Sequence, residues 1–163
     1  MTPEHLELIN RIRSSVEVLR SAFEAAPAGK HDHQPLEGEW SVRETLTHLR
    51  NVVVMVYGLR LRRLFYEIDP VFADYDEAVH REASLKQPEP VGDVLKMIFA
   101  EHEQIAGLLS TLPDANWQRQ GRHPDLGPMS IEFLARRTAE HAEEHAAQIA
   151  NTAKILGADF AGL

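Results

Sequence analysis

Residues 41–67 read SVRETLTHLRNVVVMVYGLRLRRLFYE, and whether their centre is strand or helix decides the fold class. The valine-rich run from Val52 to Tyr57 suits a buried strand by propensity alone. Its flanks are strongly helical, and the only breaker is Gly58, so a strand would have to be inserted without turns. Ser41 and Glu44 stand in the S-x-x-E spacing of a capping box, in which hydroxyl and carboxylate each satisfy an orphan backbone amide. The stretch therefore predicts one helix over 41–67, apolar over more than half its circumference. Such a helix is buried on several sides or lies in a subunit contact, and a homodimer is the expected assembly.

Working outward, Leu8, Ile9, Ile12, Val16, Leu19 and Phe23 recur at spacings of three and four, predicting a helix over 3–26 that ends at Pro27 and Gly29. Residues 68–90 form a connection holding Pro70, Pro88 and Pro90, with a short helix expected over 74–82. A third long helix is predicted over 91–112, with Val94, Leu95, Ile98, Phe99, Ile105, Leu109 and Leu112 on one face. After a loop over 114–128, Ser130 caps a fourth helix, alanine-rich, that Gly157 is expected to stop near Leu156. The result is an all-α four-helix bundle in a single domain over 1–163. Each helix is ~35 Å long, and the connection between the second and third can span that length, which allows a crossover.

Composition narrows the chemistry. The chain has 163 residues, 44% hydrophobic, and no cysteine, which excludes disulfides, thiolate metal sites and cysteine nucleophiles. Metal ligands must be His, Asp or Glu. The net charge of −8 disfavours nucleic acid as a partner, and Arg60, Arg62 and Arg63 are expected to solvate a helix end and complement its dipole. No apolar run is long enough to cross a bilayer, and Glu4, Glu7, Arg11 and Arg13 stand where a signal peptide would be apolar, so the expected location is cytoplasmic, away from membranes.

Position separates the nine histidines. His141 and His145, four apart, project from one helix face in the geometry that lets two imidazoles share an ion. Their stripe also holds Leu134, Thr138, Ala142, Ile149 and Leu156, so it faces the core. His48 shares a stripe with Val52, Met55 and Leu59 and should also point inward. If the second and fourth helices are antiparallel, His48 and His145 face each other within a turn or two. Three neutral imidazoles would leave positions open on a divalent ion, as catalytic sites do. The alternative is that His141 and His145 belong to a solvated face. Residues 141–145 also fit H-x-x-E-H with Glu144 as base, but too little chain follows to supply that motif's third ligand. His102 is read as a core histidine bonded to a neighbour, with a fourth-ligand role as the alternative. His5, His31, His33, His80 and His123 are read as solvated, Trp40 as a loop anchor over a helix end, and Glu44 as a cap that could also orient His48.

The run from Gly38 to Leu49 and the stretch from Gly127 to Ile149 resemble, in order, the two signatures of the DinB-like superfamily of DNA-damage-inducible DinB and YfiT-like proteins. The resemblance implies a four-helix bundle, often dimeric, with one divalent metal held by His48, His141 and His145. It also implies a metalloenzyme, since characterised relatives include thiol-dependent S-transferases using bacillithiol or mycothiol. The expectation is a metal-dependent thiol S-transferase acting on a small electrophile, with a low-molecular-weight thiol as cosubstrate and Zn, Ni, Fe, Mn or Co as the ion. A hydrolase of the same fold and a non-catalytic dimeric stress-response module with a structural metal are the alternatives. Thr45, Glu144 and Gln148 are the candidate catalytic or orienting groups, and the loops over 27–40 and 114–128 should border the mouth.

Overall fold

The computed structural model describes residues 1–158; the last five positions of the single domain expected over 1–163 lie outside the described residues. The elements are α1 (Pro3–Glu24), α2 (Val42–Val52), a π-helical segment (Val53–Gly58), α3 (Leu59–Tyr66), α4 (Glu77–Lys86), α5 (Val91–Ser110), β1 (Gln120–His123), β2 (Gly127–Ser130) and α6 (Ile131–Ala158). α2, the π segment and α3 form one continuous rod, so the valine run is helical and the fold is a four-helix bundle. The capping box at Ser41 and Glu44 closes in both directions. Ser130 accepts from the Phe133 amide at 3.0 Å and starts α6 as expected. Gly157 does not stop α6, which continues through Ala158.

Side-chain pairs give the directions of the helices. Arg50 meets Met97 and Arg62 meets Glu101, so α2–α3 runs parallel to α5. Arg13 meets Glu103 while Arg20 lies over Phe99, so α1 is antiparallel to α5. His48 meets His141 and His145 while Tyr57 meets His141, so α2 is antiparallel to α6. α1 packs on α6 and α5, and α2 on α5 and α6. Parallel neighbours in sequence need a long return, and residues 67–90 supply that crossover, carrying α4 against α2 between Glu44 and Asn51.

The π segment corrects one stripe. A π turn accommodates an extra residue and rotates everything after it relative to a 3.6-residue repeat. Met55 and Leu59, expected inward, are exposed, while Val53, Val56, Arg60, Leu61 and Leu64 are buried. Most of the broad apolar face that suggested a dimer is thus used inside the chain. The same rotation buries Arg60, expected at the surface: its guanidinium donates to the Ala73 carbonyl at 3.1 Å and lies over the Phe72 ring.

The stretch over 114–128 is more ordered than a loop. A 3-10 turn buries Trp117, and β1 and β2 pair antiparallel, Gln120 opposite Ser130 and His123 opposite Gly127. Gly121 is required here, because a Cβ would come within 2.4 Å of the Phe72 ring. Among the described residues no helix is long and apolar enough to cross a membrane.

Candidate metal centre

On α6, Ala139 belongs to one apolar cluster of the core and Ala142 to the other, so His141 stands where the two meet. Antiparallel packing brings His48 of α2 to the same level. His141 Nε2 lies 2.9 Å from His145 Nε2 and 3.3 Å from His48 Nε2. The ring centroids are 4.5, 5.2 and 4.9 Å apart, each pair edge-on.

The protons on these rings can be counted. His145 Nδ1 is 2.8 Å from Gln148 Oε1, an acceptor, so the proton of the neutral ring sits on Nδ1 and the Nε2 lone pair faces inward. His48 Nδ1 stands 3.4 Å from Glu77 Oε1, a charge contact without the alignment of a hydrogen bond, and the negative charge there favours a proton on Nδ1. His141 Nε2 then meets two lone pairs and can donate to one of them, while its buried Nδ1 has no hydrogen-bond partner. Convergent Nε2 lone pairs are what a cation stabilises, so the three residues fit a divalent ion that accepts imidazole nitrogen. Burial lowers the pKa of all three rings; His141, which also feels charge on His145 and His48, is pushed down to about 3. Near neutrality the rings are neutral, the form in which imidazole ligates.

Beside His48 lies a cavity of about 470 Å³ between α2, α4 and the loop before α2. Asp32, Gln34, Arg43, Glu44, Tyr75 and Arg81 line its walls. Burial opposes the charge of Glu44, but the Ser41 amide and Arg81 outweigh it and hold its pKa below the usual range. Trp40 is not merely an anchor over a helix end: its ring is 4.9 Å from that of His48 and carries the Arg81 guanidinium on its face.

The other expected residues divide cleanly. Gln148 reaches the centre through His145. Thr45 is buried with its hydroxyl donating to the Ser41 carbonyl, and Glu144 is turned to solvent and Arg137. Glu44 caps α2 and meets Arg81, leaving His48 to Glu77. His102 is fully buried, its Nδ1 2.8 Å from the Ile98 carbonyl oxygen, as a core histidine bonded to a neighbour should be. The loop before α2 borders the cavity, but no residue of 114–128 does.

Of the histidines read as solvated only His33 is exposed: His31 lies half-buried against Phe23, His80 stacks on Tyr75, and two others are more firmly engaged. His5 stacks on Trp117 at 4.0 Å and meets Asp114. His123 is 3% exposed and forms a second cluster with Asp74 and Asp125. Its Nδ1 accepts from the amides of Asp125 and Leu126, both at 3.2 Å, which places the ring proton on Nε2, 3.0 Å from Asp74. Neither nitrogen has a lone pair left for an ion. Glu77 and Arg81 were not singled out from the sequence; they reach the site across the crossover, and spacing within one helix carries no trace of that.

A sequence profile of the DinB superfamily matches residues 11–149. A protein of Oceanobacillus iheyensis, provisionally named a metal-dependent hydrolase, is 28% identical over 148 residues, covering 91% of this chain and 85% of its own. YfiT of Bacillus subtilis, named in the same provisional way, is 27% identical over 141 residues, 85% of this chain and 78% of its own. A solved structure of YfiT, described as having an unusual four-helix bundle topology, superposes with a TM-score of 0.84 at 23% identity, covering 96% of this chain and 90% of that one.

Proposed function

We propose that this chain, which belongs to the DinB superfamily, is a metal-dependent hydrolase of small molecules whose single divalent ion is held by His48, His141 and His145. The observation that carries the reading is the convergence of three Nε2 atoms, one of them on His48, whose ring also lines a cavity. The names of both curated relatives support hydrolysis. When bound, a divalent ion supplies positive charge that polarises a carbonyl or phosphoryl group and acidifies water. The chain's own residues do the rest. Gln148 fixes the tautomer of His145. Trp40 backs His48, and the carboxylate of Glu44, already held by Ser41 and Arg81, keeps its charge as part of the cavity wall. A cavity of about 470 Å³ suits a small substrate.

S-transfer from a low-molecular-weight thiol is the second reading, because the open side of a three-histidine site admits sulfur as well as oxygen. One experiment separates the two. Metal-free protein is reloaded with Ni, Zn, Mn or Fe(II) and assayed on small esters, amides and phosphoesters, and on an electrophile with and without thiol. Hydrolysis that needs metal, ignores thiol and vanishes in His145→Ala is expected. Turnover that appears only with thiol moves the assignment to the S-transferase. A metal that raises thermal stability while no substrate turns over moves it to the non-catalytic module. We also propose a homodimer through the exposed Met55 and Leu59; sedimentation equilibrium at the mass of one chain would remove it.

A further inference from the structure

α4 contributes no buried residue to the core. It is held across the cavity by polar contacts: Arg81 to Glu44 at 2.7 Å, Ser84 Oγ to Asn51 Nδ2 at 3.4 Å, and Glu77 Oε1 to His48 Nδ1 at 3.4 Å. The third contact bears on the metal centre. A histidine that ligates through Nε2 keeps its proton on Nδ1, and an acceptor there holds both the tautomer and the ring plane; His141, whose Nδ1 has none, is held by burial instead.

For His145 the acceptor is Gln148, on the same helix. α2 offers His48 nothing equivalent. Glu44, one turn before it, is engaged by the Ser41 amide and by Arg81. Asn51, one turn after it on the other side, accepts from Arg50 Nε at 2.8 Å and donates toward Ser84. The group facing His48 Nδ1 is instead the Glu77 carboxylate from across the cavity, at charge-contact distance. We propose that Glu77 is a positioning residue for the metal centre, accepting the Nδ1 proton of His48, so that the centre is complete only when α4 lies in place. This rests on the reading of His48, His141 and His145 as the ligands of a divalent ion. It makes the crossover part of the site, and makes metal affinity and closure of α4 mutually dependent.

The test compares Glu77→Ala, Glu77→Gln and Arg81→Ala in the full chain. Metal-free protein is titrated with Ni in competition with a chelator, and the tautomer of His48 is read from its ring nitrogen shifts before any metal is added. Glu77→Ala is expected to weaken Ni binding ~10–100-fold, the range for partners that orient a ligating histidine. Glu77→Gln should retain most of the affinity, since its carbonyl oxygen accepts the same proton, and Arg81→Ala should weaken binding in the same direction by less. A role confined to fold stability would instead lower the melting temperature of metal-free Glu77→Ala and Glu77→Gln together. Before metal, His48 should carry its proton on Nδ1 in the wild type and Glu77→Gln and lose that preference in Glu77→Ala. Wild-type affinity in Glu77→Ala, or an equal fall in both Glu77 variants, overturns the proposal while the metal centre stands. A wild type that takes up no ion but shows the expected tautomer pattern overturns the metal reading and leaves Glu77 as the partner of His48.

Discussion

The His48–His141–His145 centre and the His123 cluster both bring ligand-type side chains within reach of one point, yet they differ in where their protons sit. At His123 the backbone amides of the hairpin turn occupy one ring nitrogen, and the proton on the other points at Asp74. At the triad, Gln148 draws the His145 proton outward by a hydrogen bond, the Glu77 charge lies on the outer side of His48, and three Nε2 atoms face one another. Ligand chemistry is decided by which lone pairs remain, and composition or proximity alone would rank the two clusters together. The hairpin histidine is a hydrogen-bonded pin; the triad is a site.

The largest effect expected from this difference is on metal affinity. His141→Leu should weaken Ni binding by more than the ~100-fold that marks the upper range for orienting partners, measured by chelator competition. The same substitution should leave the metal-free protein as stable as the wild type or more so, because leucine removes a buried Nδ1 that has no partner. A marked fall in its metal-free melting temperature would show that the triad is a structural element and erase the contrast.

Acid should act next. Burial lowers the pKa of His48, His141 (to about 3), His145 and His102 below the ordinary 6.5. As pH falls through that value the unfolded chain takes up protons before the folded one does. Metal-free protein is therefore at full stability above about pH 6.5 and loses it progressively toward pH 3. Urea titrations at stepped pH check this, and His141→Leu should flatten the slope.

The smallest of the three effects belongs to the hairpin. His123→Ala leaves two amides without their acceptor and should lower stability by ~1–3 kcal/mol, read by urea unfolding, with Ni affinity unchanged. A loss of Ni binding in that variant would place the site at the wrong cluster.

What was legible in the sequence was local. The Ser41–Glu44 capping box and the four-residue spacing of His141 and His145 act within one helix turn and read directly. His48 is legible from its helix face because it precedes the π segment, whereas Met55 and Leu59, within or after it, leave that face where the helical repeat changes. β1 and β2 have four residues each, QGRH and GPMS, with no alternating apolar pattern to announce them. Their order comes from contact with Phe72, far off in the chain, and so does the burial of His123. The partners that complete the site, Glu77 on His48 and Arg81 on Glu44, are likewise set by the crossover path and carry no signal in spacing.

The most direct test is calorimetric titration of Ni into metal-free wild type, His141→Leu and His123→Ala. One ion per chain in the wild type and in His123→Ala, with none in His141→Leu, is the predicted result. No uptake by the wild type, or uptake kept in His141→Leu and lost in His123→Ala, would contradict it.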